Sequence, residues 1–185
     1  MASATFTARL DPREVRAITA ALAGVKAGVA NRVVKAAVAK VARGAAKQAK
    51  KLAPVGDSGL LRKSIGVKFL ARKRAGTWEY RVGPRRGFAR KGGGRGRDPV
   101  RYAHLAEFGR KAVAPKKKKA LAIRPPAGGV VVRRKAGAAA GRPFITPTWR
   151  DVQTRGTARI AADVRAGVAR EAAKYKARGK SIYAR

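Results

Sequence analysis

Two long stretches of the chain carry hydrophobic residues at the alternating three- and four-residue spacing of an amphipathic helix. The first begins at Asp11-Pro12-Arg13-Glu14, where Asp11 can cap a helix and Pro12 suits its first turn, and it runs toward Pro54. Its apolar stripe is Val15, Ile18, Leu22, Val25, Val29, Val33, Ala37 and Val41. Glycine weakens a helix by about 1 kcal/mol relative to alanine, so we expect a break or a bend near Gly44.

The second stretch follows Thr146-Pro147, where we expect the threonine to cap a helix and the proline to occupy its first turn. Asp151 should then lie near the positive end of the helix dipole. The apolar side of this helix is Trp149, Val152, Ile160, Val164, Val168, Ala172 and Tyr175. The helix should end near Tyr175, and residues 176–185 should form a flexible basic tail.

The segment between the two helices contains short runs in which apolar and polar residues alternate, the pattern of half-buried strands. Residues 65–69 and 78–82 predict one hairpin with one buried face, and residues 121–123 and 130–132 predict another. Asp57-Ser58-Gly59 supplies a turn that can cap the short stretch 60–63. Residues 102–108 form either a short helix or an edge segment.

The order helix, hairpin, linker, hairpin, helix predicts an α+β fold. We expect an antiparallel sheet of about four strands, packed by the long N-terminal helix and the long C-terminal helix, with mobile basic loops. A single domain should cover residues 1–175, with a basic loop at 84–101 and a basic linker at 110–119.

Charge changes this picture, because 46 Lys and Arg residues stand against 9 Asp and Glu, a net charge of +37. Such a chain must spread its charge outward or meet an anionic partner, of which nucleic acid is the obvious candidate. The cations of the first helix from Arg32 to Lys51 form either a solvated face or a binding surface. The candidate contacts to a polyanion or an acidic partner are Arg85, Arg86, Arg90, Lys91, Arg95, Arg97, Lys116, Lys117, Lys118 and Lys119.

Residues for chemistry are few. The chain has no cysteine and one histidine, His104, and its carboxylates are scattered, so we expect no catalytic site, no metal and no cofactor. No apolar run approaches the roughly 20 residues of a membrane span, and the start lacks a secretion signal, so we expect no membrane association.

Four short passages resemble a known family. They are Ala53-Pro-Val-Gly-Asp-Ser-Gly-Leu-Leu-Arg-Lys-Ser-Ile65, Tyr80-Arg-Val-Gly-Pro84, Tyr102-Ala-His-Leu-Ala-Glu-Phe-Gly109 and Gly141-Arg-Pro-Phe-Ile-Thr-Pro147. In this order they resemble the tail-completion, or head–tail joining, proteins of long-tailed bacteriophages. The chain departs from the family in Ser58 for Thr, in the extra Gly56, in Arg110 for Thr, and in its long basic loop.

The residues that carry the family motifs are Asp57, Gly59, Leu61, Arg62, Ser64, Ile65, Tyr102, Glu107, Phe108, Gly109, Arg142, Pro143, Phe144 and Pro147. Most are explained by fold maintenance: Gly59 and Gly109 in turns, Phe108 and Phe144 in packing, and Glu107 as an acid held by neighbouring arginines.

The resemblance implies a structural virion protein made in the host cytoplasm. It would sit at the phage neck and join the tail tube to the portal-side head connector. It also implies a ring of this chain, with six subunits favoured and twelve as the runner-up, contacting the connector or stopper protein and the tail tube protein, with transient contact to the double-stranded genome. The alternative is a basic nucleic-acid-binding protein that compacts DNA or associates with ribosomes, which the net charge supports directly but which leaves the four motifs unexplained.

Overall fold

The computed structural model describes residues 12–55, 59–70, 78–88, 98–112, 121–123, 131–133 and 137–183. Its helices are α1 (Pro12–Leu22), α2 (Ala27–Leu52), α3 (Leu60–Ser64), α4 (Ala103–Phe108) and α5 (Ile145–Lys176), with a 3-10 helix at Pro99–Arg101. Its strands are β1 (Ile65–Leu70), β2 (Glu79–Pro84), β3 (Gly109–Arg110), β4 (Leu121–Ile123), β5 (Val131–Arg133) and β6 (Ala139–Ala140). The fold is therefore mixed α and β, with long helices toward both ends of the chain, as predicted.

The chain divides into two compact units. Unit 1 comprises the described parts of residues 1–47, 67–82 and 147–185, and unit 2 comprises those of residues 48–66 and 83–146.

Helices α2 and α5 build the hydrophobic core of unit 1. From the predicted apolar stripe, α2 supplies the buried residues Val29, Val33 and Ala37, and the linker before α2 supplies the buried Val25. Helix α5 supplies the fully buried Val164. Ile160, Val168, Ala172 and Tyr175 of α5 pack against this cluster, together with Ile18 and Leu22 of α1. Most of each predicted apolar stripe thus faces the core, whereas Val15 of α1 is 38% exposed.

The segment expected to be a flexible tail instead enters this core. Ile182 is buried among the α2 valines. Its carbonyl accepts a hydrogen bond of 2.8 Å from the Lys26 backbone N–H, and Tyr183 forms a β-bridge with Val25. A single apolar residue in a basic segment shows no periodicity, which is why the sequence pattern missed it.

The break in the first helical stretch lies at Gly24 and not near Gly44, so that prediction was wrong. Gly24 has a φ of 71°, a left-handed conformation that favours glycine, and it separates α1 from α2. Gly44 lies inside the continuous helix α2. Helix propensity is equally low for both glycines, so it cannot tell which one interrupts the helix. The difference is that the backbone changes direction between α1 and α2 at Gly24.

The predicted sheet of about four strands was also wrong. The described strands form three separate two-stranded sheets, β1–β2, β3–β6 and β4–β5, and the last two are antiparallel. Both predicted hairpin strand pairs are present, but β4 and β5 have only three residues each, and β3 and β6 only two. Alternation along the chain predicts strands, but it carries no information on which strands pair.

The first hairpin leaves one of its predicted inward residues at the surface. Ile65 is buried, but Phe69 is 39% exposed. The Phe69 ring contacts Tyr80, with ring centroids 5.2 Å apart, and the Lys35 ammonium lies 4.9 Å from the Phe69 centroid. A cation over an aromatic face is favourable at the surface. The contacts with Lys35 and Tyr80 therefore stabilise the Phe69 ring although it is not buried in a core.

Two glycines on the core helices should respond oppositely to alanine. A Cβ at Gly167 would lie 2.7 Å from Cγ1 of Val33, whose branched side chain is stiff in a helix, whereas a Cβ at Gly44 would meet nothing within 4 Å. We expect Gly167→Ala to destabilise the protein by about 1–3 kcal/mol through overpacking and Gly44→Ala to stabilise it by up to about 1 kcal/mol. Thermal unfolding followed by circular dichroism measures both, and equal effects of the two substitutions would contradict the close packing of α2 on α5.

Candidate assembly surfaces

Arg62, one of the motif residues, caps the C-terminal end of α2. Its guanidinium donates hydrogen bonds to the backbone carbonyls of Lys50 (2.6 Å) and Lys51 (3.2 Å), in the last turn of that helix. A helix end leaves carbonyls without partners and carries partial negative charge, so a cation is favourable there. The motif arginine thus stabilises the end of a long helix.

Three motif residues close to Arg62 in the chain are buried in unit 2. Leu61, Ser64 and Ile65 lie in its core, and the Ser64 hydroxyl donates to the Leu61 carbonyl at 2.7 Å. Gly59, which precedes α3, has a φ of 58°. Asp57 and Ser58, the residues of the predicted turn that have a side chain able to cap this helix, lie outside the described residues.

Glu107 caps the N-terminal end of α5. Its carboxylate is buried on α4, and it accepts hydrogen bonds from the backbone N–H groups of Phe144 (2.8 Å), Ile145 (2.9 Å) and Thr146 (2.8 Å). The predicted cap, Thr146, is therefore one of the donors, and α5 begins one residue before it. The predicted pairing of Glu107 with arginines was wrong, because the partners are amides that arrive 37 to 39 residues later in the chain.

These hydrogen bonds also set the ionisation of Glu107. Burial acts to raise the pKa of the carboxyl, but the hydrogen bonds from Ile145, Phe144 and Thr146 outweigh it, so the pKa of Glu107 is lowered. The carboxylate therefore stays charged at neutral pH. For the motif residue Tyr102, burial and then the charge of Asp98 raise the pKa of the phenol.

Two glycines, one just after α4 and one just after β6, allow these two parts of the backbone to approach closely. A Cβ at Gly109, which has a φ of 79°, would lie 2.5 Å from the Ala139 carbonyl oxygen, and one at Gly141 would lie 2.6 Å from the Glu107 carbonyl oxygen. The Arg142 N–H donates to the Ala106 carbonyl at 2.8 Å just beyond this crossing. The crossing brings the segment 141–146 to Glu107 and buries Phe144 fully.

Several large apolar residues of unit 2 stay at the surface. Phe108 is 72% exposed and Leu105, three residues earlier on α4, is 41% exposed. Leu52 and Val55, near the end of α2, are exposed as well. The expected packing role of Phe108 was therefore wrong, since α4 turns its Ala103 and Glu107 face inward and leaves Phe108 outside.

Nearly every described carboxylate has a structural partner. Asp151 pairs with Arg155 and Arg159, Asp163 with Lys40, and Glu171 with Arg32 and Lys174. Asp98 accepts the Gly87 N–H, and Glu107 caps α5. Asp151 was predicted to lie near the positive end of the helix dipole, but α5 begins at Ile145 and has no acidic residue in its first turn. Asp151 lies in the second turn and forms ion pairs along the helix. Apart from that of Glu79, the charge that has no partner on the described surface is positive.

The candidate basic contacts are only partly described. Arg85 and Arg86 are exposed; the Arg85 side chain also donates to the Ser64 carbonyl at 3.4 Å and lies 5.5 Å from the Phe88 ring centroid. The other candidate contacts, Arg90, Lys91, Arg95, Arg97 and Lys116 to Lys119, lie outside the described residues. Of the remaining motif residues, Arg142 and Pro143 are exposed and Pro147 is half-buried in the first turn of α5.

Within the described ranges, no three His, Cys, Asp or Glu side chains come together as metal ligands would. No described helix combines the length and the apolar character needed to cross a bilayer.

Comparison with known families gives one match. A family model described as "HK97-gp10_like: Bacteriophage HK97-gp10, putative tail-component" matches residues 16–109, just over half of the 185 residues. The matched region contains both capping residues, Arg62 and Glu107, and it ends at Gly109. No curated protein and no solved structure matches the chain.

Replacing Glu107 by glutamine tests the cap. An amide keeps the shape but turns an N–H donor toward at least one backbone N–H of α5, so we expect a loss of about 2 kcal/mol of stability at neutral pH. The folded-state pKa of Glu107 is lowered, so its contribution is present above the ordinary glutamate pKa and is lost as pH falls through the folded-state value. The variant should therefore lose part of the acid dependence of unfolding.

Urea unfolding followed by circular dichroism, from neutral to acidic pH, measures both effects. Glu79→Gln is the matched control, since Glu79 is exposed on β2. Equal behaviour of the two variants would contradict the capping role of Glu107.

Proposed function

The chain belongs to the HK97-gp10-like family of phage tail components, and we propose that it acts at the phage neck, where it joins the tail tube to the portal-side head connector. A structural tail component works through its surfaces, so the proposal assigns the chain no catalytic activity. Its place in the virion would be the interface between head and tail.

The exposure of Phe108 is the observation that best supports the proposal. Phe108 belongs to the Tyr-Ala-x-x-x-Glu-Phe-Gly motif, in which Ala103 and Glu107 are buried and serve the fold, yet the aromatic ring is 72% exposed. A fold-maintenance role does not account for an exposed ring. An aromatic residue at a protein interface supplies large contact area, which fits a part that is completed by its neighbours.

The mechanism we propose is geometric. The caps by Arg62 and Glu107 hold the end of α2 and the start of α5 within unit 2, so that α4 presents Leu105 and Phe108 from a fixed frame. We propose that copies of the chain form a ring, with six subunits favoured over twelve, and that the exposed apolar residues contact a neighbour in the ring, the connector or stopper protein, or the tail tube protein. A closed ring buries the same kind of surface on every subunit.

Electron microscopy of particles made after deletion of the gene tests this proposal. We expect full capsids beside unjoined or abnormally ended tails, because the part that joins them is missing. Intact infectious virions from the deletion strain would overturn it.

Complementation of that deletion with Phe108→Ser tests the contact surface. We expect the variant to fold, since the ring is mostly exposed, but to lower the yield of joined particles at least about tenfold, as loss of an interface anchor does. Val15→Ser, at a valine of α1 that is 38% exposed and lies outside the family motifs, is the control and should complement normally. A fully active Phe108→Ser chain would show that the exposed ring contacts no partner.

Binding to nucleic acid is the second candidate function, favoured by the net charge of +37 and by the engagement of the described carboxylates within the fold. Its test is duplex DNA affinity across salt. For a DNA-binding protein, the logarithm of affinity falls by about 0.9 per contacted phosphate for each tenfold rise in salt, with tight binding left at physiological salt. For a neck protein we expect weak binding above physiological salt, because a genome that passes through a channel should not be held tightly.

A further inference from the structure

Unit 1 has a groove between α2 and α5 that is lined by more cations than carboxylates, which favours an anionic partner. The groove has a volume of about 320 Å³ and opens to solvent. Five cations line it, two carboxylates lie among them, and small residues complete its wall. The cations are Arg32, Lys40, Arg43, Arg170 and Lys174.

The two signs of charge lie at different depths. The side chains of Asp163 and Glu171 are only 20% and 16% exposed, whereas those of Arg32, Lys40 and Lys174 are 62–67% exposed. The carboxylates are already paired with these three cations. An incoming group therefore meets the cations first, and within the described residues Arg43 and Arg170 have no carboxylate partner.

Small apolar residues also line the groove. They are Val33, Ala36, Ala37 and Gly167, and Gly167 is the point where α5 approaches Val33 closely. Ala36 is exposed, whereas Val33, Ala37 and Gly167 are buried. A ligand that fills the groove must therefore bring small apolar groups as well as negative charge.

We infer that this groove binds an acidic segment of a partner protein, one with carboxylates spaced by small apolar residues. Such a segment offers oxygens to Arg43 and Arg170 and methyl groups to the exposed Ala36. Pairing of these arginines with carboxylates would be charge-assisted and partly desolvated. The inference rests on the proposed function only for the source of the segment, a neighbouring protein of the neck.

Two other occupants fit the groove less well. A second copy of this chain cannot supply an acidic segment, since the two closest of its nine carboxylate residues, Asp11 and Glu14, are separated by Pro12 and Arg13. The others are at least eight residues apart, and five of them are engaged within the fold, namely Asp98, Glu107, Asp151, Asp163 and Glu171. Duplex DNA presents phosphates on a broad convex surface and has no methyl-bearing backbone to cover the exposed Ala36. A cavity of this size suits a few side chains.

The test is binding of the full chain to three fluorescent probes at physiological salt. The probes are a short peptide of Glu and Ala, the same peptide with Gln in place of every Glu, and a short DNA duplex. The groove variant is Arg43→Gln with Arg170→Gln. The matched control is Lys47→Gln with Arg165→Gln, which removes one exposed cation from each helix outside the groove.

We expect the Glu peptide to bind, the Gln peptide to bind at least about tenfold more weakly, and the groove variant to lose about tenfold in affinity for the Glu peptide. The control variant should lose less than about twofold. Equal losses in the two variants would attribute binding to net charge and overturn the inference. So would absence of peptide binding, or tighter duplex binding with the same dependence on Arg43 and Arg170, which would make nucleic acid the occupant.

This outcome is separate from that of the deletion experiment. Groove-dependent peptide binding together with intact virions from the deletion strain would overturn the neck role and leave the acidic-segment site standing. Unjoined tails together with equal losses of affinity in both variants would support the neck role and overturn the acidic-segment site.

Discussion

The carboxylate of Glu107 is the interaction on which the arrangement of unit 2 depends. It satisfies three N–H groups that the start of a 32-residue helix would otherwise leave without partners, and it does so from a different helix far earlier in the chain. The close crossing at Gly109 and Gly141 and the burial of Phe144 follow from bringing these segments together. Arg62 plays the corresponding part at the end of α2. Two motif charges of opposite sign therefore complement the dipoles of the two long helices.

Other acidic side chains, like that of Glu107, have partners within the fold. The chain has nine carboxylates against 46 basic residues. Five of the six acids whose side chains the structure describes lie where a backbone amide or a cation binds them, the exception being Glu79. The basic residues greatly outnumber the acids, so most of them have no carboxylate to pair with. The acids are therefore structural elements, and the surface that remains is available for partners of opposite charge.

Sequence patterns predicted the features that depend on local spacing. The apolar stripes of α2 and α5 were recognised because each face repeats within one helix, and they form the core of unit 1. The features that were missed depend on residues distant in sequence. The cap by Glu107 requires knowledge of where residues 144–146 lie, the pairing of strands depends on tertiary context, and the groove combines cations of α2 with those of α5. The burial of Ile182 has no local signal at all.

The position of Ile182 has a consequence for how the chain acquires its structure during synthesis. The apolar stripe of α2 emerges early, but the residues that cover it, Val164 and Ile182, are translated last among the elements of unit 1. Until then α2 exposes valines that have no partner, and contacts between segments so distant in sequence form slowly. Nascent chains of this protein are therefore expected to hold an uncovered apolar helix until residues 164–182 have been translated, and such a helix is the kind of segment that chaperones bind.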